Sequence, residues 1–417
     1  MPVDAGRSSR AGHPDRSCWC RPDRPMNPAV SILVLAVAAF VLPLVASRLR
    51  LPAVVLEILF GILAGPALLG LLHESETMES MAELGFLLLM FLSGFEIDFR
   101  KLERGGAGQI LIGMSIFLLT LVFAWKAGAM LGHGPFVTLV LATTSVGLVV
   151  PTLRNTQRSA TPLGQAILIA ALLTDFLTLI AATLFAMVRE SGVGWHLLGF
   201  PLLFAAILVV LLVLKRLAWW FPDKFERLFD PEDPEEMGIR TCLFLMFIFV
   251  GLSWALNVEA ILGAFMAGTA FAWVFRHRGQ LEQKLKGFSY GFLIPIFFIH
   301  VGVQFDVVAL SRPGVLAGAV VLIAVAALIK VAASSVLLLV GFSPRQVLSA
   351  GVLLSARLSL VIAVAEMGVR LNLLSRELEA QVVLLAIVTS VLAPTVFRAL
   401  SPPIGVAHTV AQPATPR

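Results

Sequence analysis

The stretch "ILIAALLTDFLTLIAATLF", residues 167–185, decides how the rest of the chain is read. From Ser159 to Val188 only Asp175 is charged, and it lies near the middle of the run. A helix of roughly 20 apolar residues crosses a bilayer. A charge at the centre of such a helix costs about 2.5–3.5 kcal/mol on insertion scales, so it marks a transport pathway or a buried pair. Two readings of Asp175 follow. It is a structural acid paired inside a helix bundle, or it is a carboxylate that trades a proton for a cation.

The composition agrees with a membrane setting. Hydrophobic residues make up 58% of the 417 and charged residues 14%, against about a quarter charged in soluble domains. Apolar runs of helix length recur along the whole chain. Barrel strands would instead alternate over about 10 residues, so the expected fold class is an all-α membrane protein. The formal net charge is +5, but in a membrane protein Lys and Arg mark cytoplasmic loops rather than nucleic-acid contacts. Cys18, Cys20 and Cys242 lack the number and spacing of a metal site. No cofactor and no transition metal is expected. A membrane-embedded enzyme would need a catalytic cluster, and the histidines are scattered without nucleophile–base spacing.

Thirteen apolar spans are expected, at about 29–47, 53–72, 82–97, 107–131, 135–153, 162–188, 196–221, 239–256, 259–275, 286–305, 314–340, 346–368 and 378–398. Residues 1–28 read as a polar tail, disordered or preceding a true start at Met26, and 401–417 as a short cytoplasmic tail. Alternate loops, such as "FRKLERGG", "LRNTQR" and "FRHRGQLEQKLK", carry most of the basic residues. By the positive-inside rule they face the cytoplasm, which puts the N-terminus outside and the C-terminus inside. Trp125, Trp195, Trp219, Trp220 and Trp273 fall near span ends, as interfacial anchors do.

Besides Asp175, two charges lie deep in spans, Lys330 and Arg357. Each has a structural alternative, an ion pair that fixes helix packing. Arg357 also stays charged and cannot itself carry the proton. Glu57, Glu83, Glu96, Glu259 and Glu366 lie nearer span ends, where water can reach them. The stretch "LATTSVGLVVP" (141–151) places Thr143, Thr144, Ser145, Gly147 and Pro151 in one short span. Hydroxyls, glycine and proline together suit a helix that breaks in mid-membrane and bares its carbonyls to an ion. "AGVLLSARLSLVIA" (350–363) offers a counterpart, with Gly351, Ser355, Arg357 and Ser359. Small residues also serve plain helix packing. Two interrupted helices in two halves of a chain point to an inverted-repeat transporter.

These motifs carry a resemblance. "LPAVVLEILFGILAGPALLG" (51–70) is similar to the opening Pro–Glu–Gly–Gly-Pro signature of the monovalent cation:proton antiporter-2 family, which includes Kef-type potassium and NapA-type sodium exchangers. "ELGFLLLMFLSGFEIDF" (83–99), "TTSVGLVVPTLR" (143–154), "LGAFMAGTAF" (262–271) and "IPIFFIHVGVQFD" (294–306) resemble its later helices in order. The resemblance runs from about residue 50 to 395. It implies an NhaA-like inverted-repeat fold with two broken crossing helices, and a homodimer. Core helices would lie at about 107–188 and 314–398, and dimerisation helices at about 29–97 and 196–305. It makes Asp175 the ion-carrying aspartate, Thr143, Thr144 and Ser145 the unwound segment beside it, and Lys330 the core lysine. Two positions depart from the family's pattern. Thr174 precedes the key aspartate where relatives often have Asp, Asn or Gln. Arg357-Leu358-Ser359 stands where Arg-Gly-Glu is usual. Ion preference and stoichiometry therefore do not carry over. His300 sits where a small residue is common, and reads as a packed interface histidine rather than a proton relay.

The expected function is a secondary active antiporter exchanging protons for Na⁺ or K⁺ by alternating access, with Asp175 the shared site. A same-fold organic-anion transporter, binding its substrate on Lys330 and Arg357, is the main alternative. A passive channel is another.

Overall fold

The structure, a computed structural model, describes residues 28–49, 51–96, 99–159, 161–192, 194, 198–220, 235–274, 279–310 and 312–401. The expectations for the polar tail, for Cys18, Cys20 and Trp195 and for much of the basic loops fall outside them. The described residues form helices and connecting loops.

The helices of seven residues or more are, in chain order, α1 (Pro28–Leu49), α2 (Ala53–Ala64), α3 (Glu76–Phe95), α4 (Phe99–Met130), α5 (Phe136–Ala142), α6 (Val146–Asn155), α7 (Pro162–Ser191) and α8 (Gly199–Trp220). They continue with α9 (Met237–Ala255), α10 (Ala260–Val274), α11 (Gly279–Phe288), α12 (Ile294–Val303), α13 (Val315–Ala333), α14 (Pro344–Leu354), α15 (Ser359–Arg370) and α16 (Arg376–Leu400). Among the described residues nine helical stretches are long and apolar enough to cross a membrane, or ten if the bent pair α14–α15 is one crossing. Three more apolar helices, Ala53–Ala64, Gly199–Val213 and Ala260–Trp273, are shorter.

Local chemistry explains the starts. Thr161 caps α7 by accepting a hydrogen bond from Gly164 N (3.1 Å), with Pro162 in the first turn. Ser343 and Gln346 form a reciprocal capping box on α14. Ser75 and Ser375 cap α3 and α16. Each satisfies backbone N–H groups that a helix start leaves open. The expected span at 53–72 is cut short. Gly65 is extended (φ −67°, ψ 175°) and Pro66 follows, a pair that disfavours helix at the preceding residue. A π turn at Ser289–Leu293 joins α11 to α12. Pro295 supplies no N–H and its ring crowds the carbonyl four residues back, so the helix widens just before it.

Two sets of helices emerge from the packing. α4, α5, α6, α7, α13, α14, α15 and α16 pack mainly on one another. α1, α2, α3, α8, α9, α10, α11 and α12 make the second set, and α10 touches α7 across the junction. The second set is knit by glycine. A Cβ on Gly94 would overlap the Phe265 carbonyl, and one on Gly268 would overlap the Phe91 carbonyl. α3 and α10 thus meet backbone to backbone, as small residues allow where lipid supplies no hydrophobic drive. Gly61 and Gly302 do the same for α2 and α12. Glu57 shares that buried face of α2, one turn before Gly61, and is only 3% exposed. The expectation that water reaches it fails, because the face it shares with Ile58 and Gly61 is turned against α12 rather than outward.

Candidate cation site at the crossing of two broken helices

A helix that stops inside the bilayer strands backbone donors and acceptors where no water competes for them, at a cost of several kcal/mol each unless they find partners. Residues 143–145 interrupt the helix between α5 and α6. Thr143 takes φ −52°, ψ 156° and Ser145 φ −142°, ψ 106°, both extended in ψ. Pro151 does not sit at the break; it lies inside α6. The second interruption, residues 355–358, separates α14 from α15 with a bend of 48°.

Three charged side chains replace the lost helical bonds. Lys330, 1% exposed on α13, donates from Nζ to Ala142 O (2.7 Å) and Thr144 Oγ1 (2.8 Å). Arg357, fully buried, donates from Nη2 to Leu141 O (2.6 Å) and from Nε to Thr143 O (3.1 Å). Thr144 Oγ1 donates in turn to Leu354 O (3.1 Å), at the end of α14. The two breaks therefore cross and are tied to each other. Asp175 serves the opposite end of the gap: its Oδ2 accepts from Val146 N (3.1 Å), the first residue of α6.

The electrostatics follow the helix dipoles. Cations sit on the carbonyl end of α5 and a carboxylate on the amide end of α6, each against the partial charge it favours. Among the described residues no ion pair joins Lys330 to Asp175, although their charges attract. Lys330 and Arg357 are thus held by carbonyls and a hydroxyl, and among the described residues neither forms the ion pair that the structural alternative named. The end of α5 bares carbonyls that the two cations answer, and the start of α6 bares an N–H that the carboxylate answers.

One oxygen of the carboxylate remains uncommitted. Asp175 Oδ1 is buried and has no hydrogen-bond partner. Buried polar atoms are normally satisfied, so this oxygen is where a proton or a cation can be held. Ser145 is buried and directly precedes Val146, whose N–H holds the other oxygen, and among the described residues its hydroxyl forms no hydrogen bond that competes with an ion. Thr143 is committed to Val140 O (2.8 Å) and Thr144 to Lys330 and Leu354. Thr174 is buried, at 1% exposed. Thr178 was not singled out by sequence. It is fully buried with an unpartnered Oγ1, one turn after Asp175. The signal was its spacing, three residues on, which shares a helix face with the acid.

Comparison with known proteins gives the site its context. A sequence profile described as "Sodium/hydrogen exchanger, transmembrane" matches residues 35–401. The chain is 33% identical over 396 residues to the putative Na(+)/H(+) antiporter YjbQ of Bacillus subtilis, covering 89% of this chain and 62% of that protein. It thus spans less than two thirds of YjbQ. It is 27% identical over 379 residues to the probable Na(+)/H(+) antiporter 3 of Methanocaldococcus jannaschii, covering 88% of this chain and 95% of the relative. It is 27% identical over 288 residues to the glutathione-regulated potassium-efflux protein KefC of Klebsiella pneumoniae, covering 66% of this chain and 45% of KefC. In structure it superposes on the sodium proton antiporter MjNhaP1 of M. jannaschii with a TM-score of 0.62, covering 88% of this chain and 95% of that one, at 15% identity. At that identity the likeness shows the fold. The profile match runs through both broken helices and Asp175, and on it the chain belongs to the transmembrane sodium/hydrogen exchanger family.

Proposed function

We propose that Asp175 is the shared proton and cation site of this protein, and that Na⁺ or K⁺ exchanges against protons there by alternating access. The chain is a multi-pass membrane antiporter, not an enzyme. The observation that carries the reading is the free, buried Asp175 Oδ1 between the broken ends of α5 and α6. Deprotonated Asp175 binds the cation with hydroxyl and carbonyl oxygens, and protonated Asp175 releases it. Either ligand discharges the carboxylate and permits the site to cross, whereas the empty, charged site stays. That rule couples the two flows. The organic-anion alternative loses support, because Lys330 and Arg357 are already bound to carbonyls.

The larger architecture of the proposal is thirteen crossings in an NhaA-like inverted repeat, with the three short apolar helices counted as crossings. The set of α4–α7 and α13–α16 moves as the core, and the other set forms the contact of a homodimer. The basic loops face the cytoplasm, which leaves the N-terminus outside and the C-terminus inside. Within the sodium/hydrogen exchangers the motifs favour the Kef- and NapA-type branch. With Thr174 in place of a second acid, and Lys330 bound to carbonyls, one proton moves per cation.

The test is exchange in proteoliposomes with an interior pH dye, challenged with Na⁺, K⁺, Li⁺ and Rb⁺ in turn. The half-saturating cation concentration rises as pH falls, because proton and cation compete for one carboxylate. The rate does not follow an imposed membrane potential. An affinity independent of pH would overturn the shared site, and a rate that follows the potential would overturn the one-for-one count.

Two hydroxyls separate ligand from scaffold. Ser145→Ala raises the half-saturating cation concentration and leaves the pH optimum in place, since a cation needs several oxygens and a proton needs one. Thr144→Ala frees Lys330 from one of its two acceptors and Leu354 O from its donor, so it lowers the maximal rate for every cation. Equal effects of the two substitutions on affinity and rate would count against this division.

A further inference from the structure

A cavity of about 180 Å³ lies between α3, α10, α12 and α15 and shares no residue with the Asp175 site. Its charged lining comprises Glu79 and Glu83 from α3, Glu259 from the start of α10, and Glu366 and Arg370 from α15. Arg370 Nη2 is held by Glu259 Oε2 at 3.1 Å. Glu79, Glu83 and Glu366 form no ion pair among the described residues, although Arg370 also attracts Glu366.

His300 on α12 also lines the cavity. It is 8% exposed, and neither ring nitrogen has a hydrogen-bond partner. A packed core histidine is normally satisfied through at least one nitrogen. Leaving a buried polar group unmet costs about 1–3 kcal/mol, so the imidazole depends on what fills the cavity. A space of about 180 Å³ is many times the roughly 10–15 Å³ that one water requires.

We propose that this cavity is a second cation site, distinct from Asp175, where a hydrated cation rests against Glu79, Glu83 and Glu366 and is expelled when His300 takes a proton. Among the described residues no three acidic, imidazole or thiol groups converge tightly enough to ligate a bare metal ion. An ion held here therefore keeps its water and is bound through it. Three carboxylates that form no ion pair among the described residues surround one chamber and give the attraction. Imidazole is the side chain whose charge ordinarily changes between pH 5 and 8, and a charge gained inside the chamber opposes the cation directly. Among the described residues no titratable side chain beyond these lines the cavity. α2 packs on the Ile299 and Gly302 side of α12, away from His300, Val301 and Gln304, and its acid, Glu57, lines no part of the cavity. A smaller recess shares Val301, Gln304 and Glu366 and adds Asp306, Arg376 and Glu379, the last two paired at 3.0 Å.

The position gives the site a route to the transport machinery. Glu366 stands seven residues along α15 from Ser359, the first residue after the second break. That is about 10 Å of helix, so an ion on Glu366 pulls on an element that ends at the crossing.

Binding to purified full-length protein in detergent tests the proposal without calling on transport. The probe is hexaamminecobalt(III), an inert cation that binds only through its outer shell, titrated calorimetrically into the Asp175→Asn protein. Binding is expected at about pH 8 and weakens on the order of tenfold by about pH 5. His300→Gln keeps the binding at high pH and loses most of that weakening. The triple exchange of Glu79, Glu83 and Glu366 to Gln removes binding at both pH values. Glu83→Gln alone, a change on an exposed residue that leaves the fold in place, lowers affinity several-fold. The proposal is overturned if the probe does not bind the parent, if the triple variant binds as the parent does, or if His300→Gln retains the full pH effect. Exchange that survives Asp175→Asn bears on the Asp175 reading and leaves this one standing.

Discussion

Asp175→Asn abolishes cation-driven proton exchange, to the level of protein-free liposomes, while the protein remains folded. The amide keeps the shape of the acid, and its oxygen still accepts from Val146 N, so the start of α6 stays satisfied. What disappears is the negative charge at the free oxygen. Without it, a cation gains no counter-charge in the gap and no proton is bound or released. The stability change is small, about 1 kcal/mol, the scale of one hydrogen bond whose acceptor weakens from charged to neutral. Thermal unfolding of the detergent-solubilised variant, next to its flux, separates the two effects. Substantial exchange in a well-folded Asp175→Asn sample would refute the assignment of the site. Loss of exchange together with collapse of the fold would instead restore the structural reading of Asp175, as an acid retained to cap α6.

The sequence made the deep charges and the hydroxyl-rich break visible because both are local anomalies. One acid in an otherwise uncharged run, or three hydroxyls in an apolar span, needs no partner to be noticed. The partners were another matter. Lys330 reaches Ala142, 188 residues away, and Arg357 reaches Thr143, 214 residues away. No pattern within a span predicts which carbonyl a distant cation will meet. A deep opposite charge suggests an ion pair for Lys330, yet the Ala142 carbonyl and the Thr144 hydroxyl of the broken helix hold it instead. The same limit explains Glu57 and His300. Burial of Glu57 follows the glycine-mediated contact between α2 and α12, some 240 residues apart in the chain, and His300 faces the cavity that α12 forms with α3, α10 and α15. The apolar runs were legible as runs. The shortening of α2 at Gly65-Pro66 and the π turn before Pro295 were written in prolines whose consequences depend on the surrounding backbone.

Arg357→Met carries the second largest expected effect, and it falls on the fold before it falls on transport. The guanidinium is fully buried, and its strongest bonds go to two carbonyls at the end of α5, Leu141 O and Thr143 O. Methionine fills much of the same volume and donates nothing. Two acceptors are then bare in a dry crossing, each at a cost of about 1–3 kcal/mol. The bilayer offers no water to soften that cost. The variant is expected to melt several degrees lower than the parent in detergent, because the carbonyl end of α5 loses its main donor. Arg357→Lys recovers part of the loss only. An ammonium is a point donor, whereas the planar fork serves Nε and Nη2 in fixed directions. Lys330→Met, by the same count, strips Ala142 O and Thr144 Oγ1 of their donor. Because Thr144 still bonds Leu354 O, the two breaks stay tied and the loss of stability is smaller. The ranking is the test: Arg357→Met below Lys330→Met, with Arg357→Lys between Arg357→Met and the parent. A parent-like melting temperature for Arg357→Met would show that the crossing does not depend on this cation, and would turn attention to a direct role for Arg357 in the ion path.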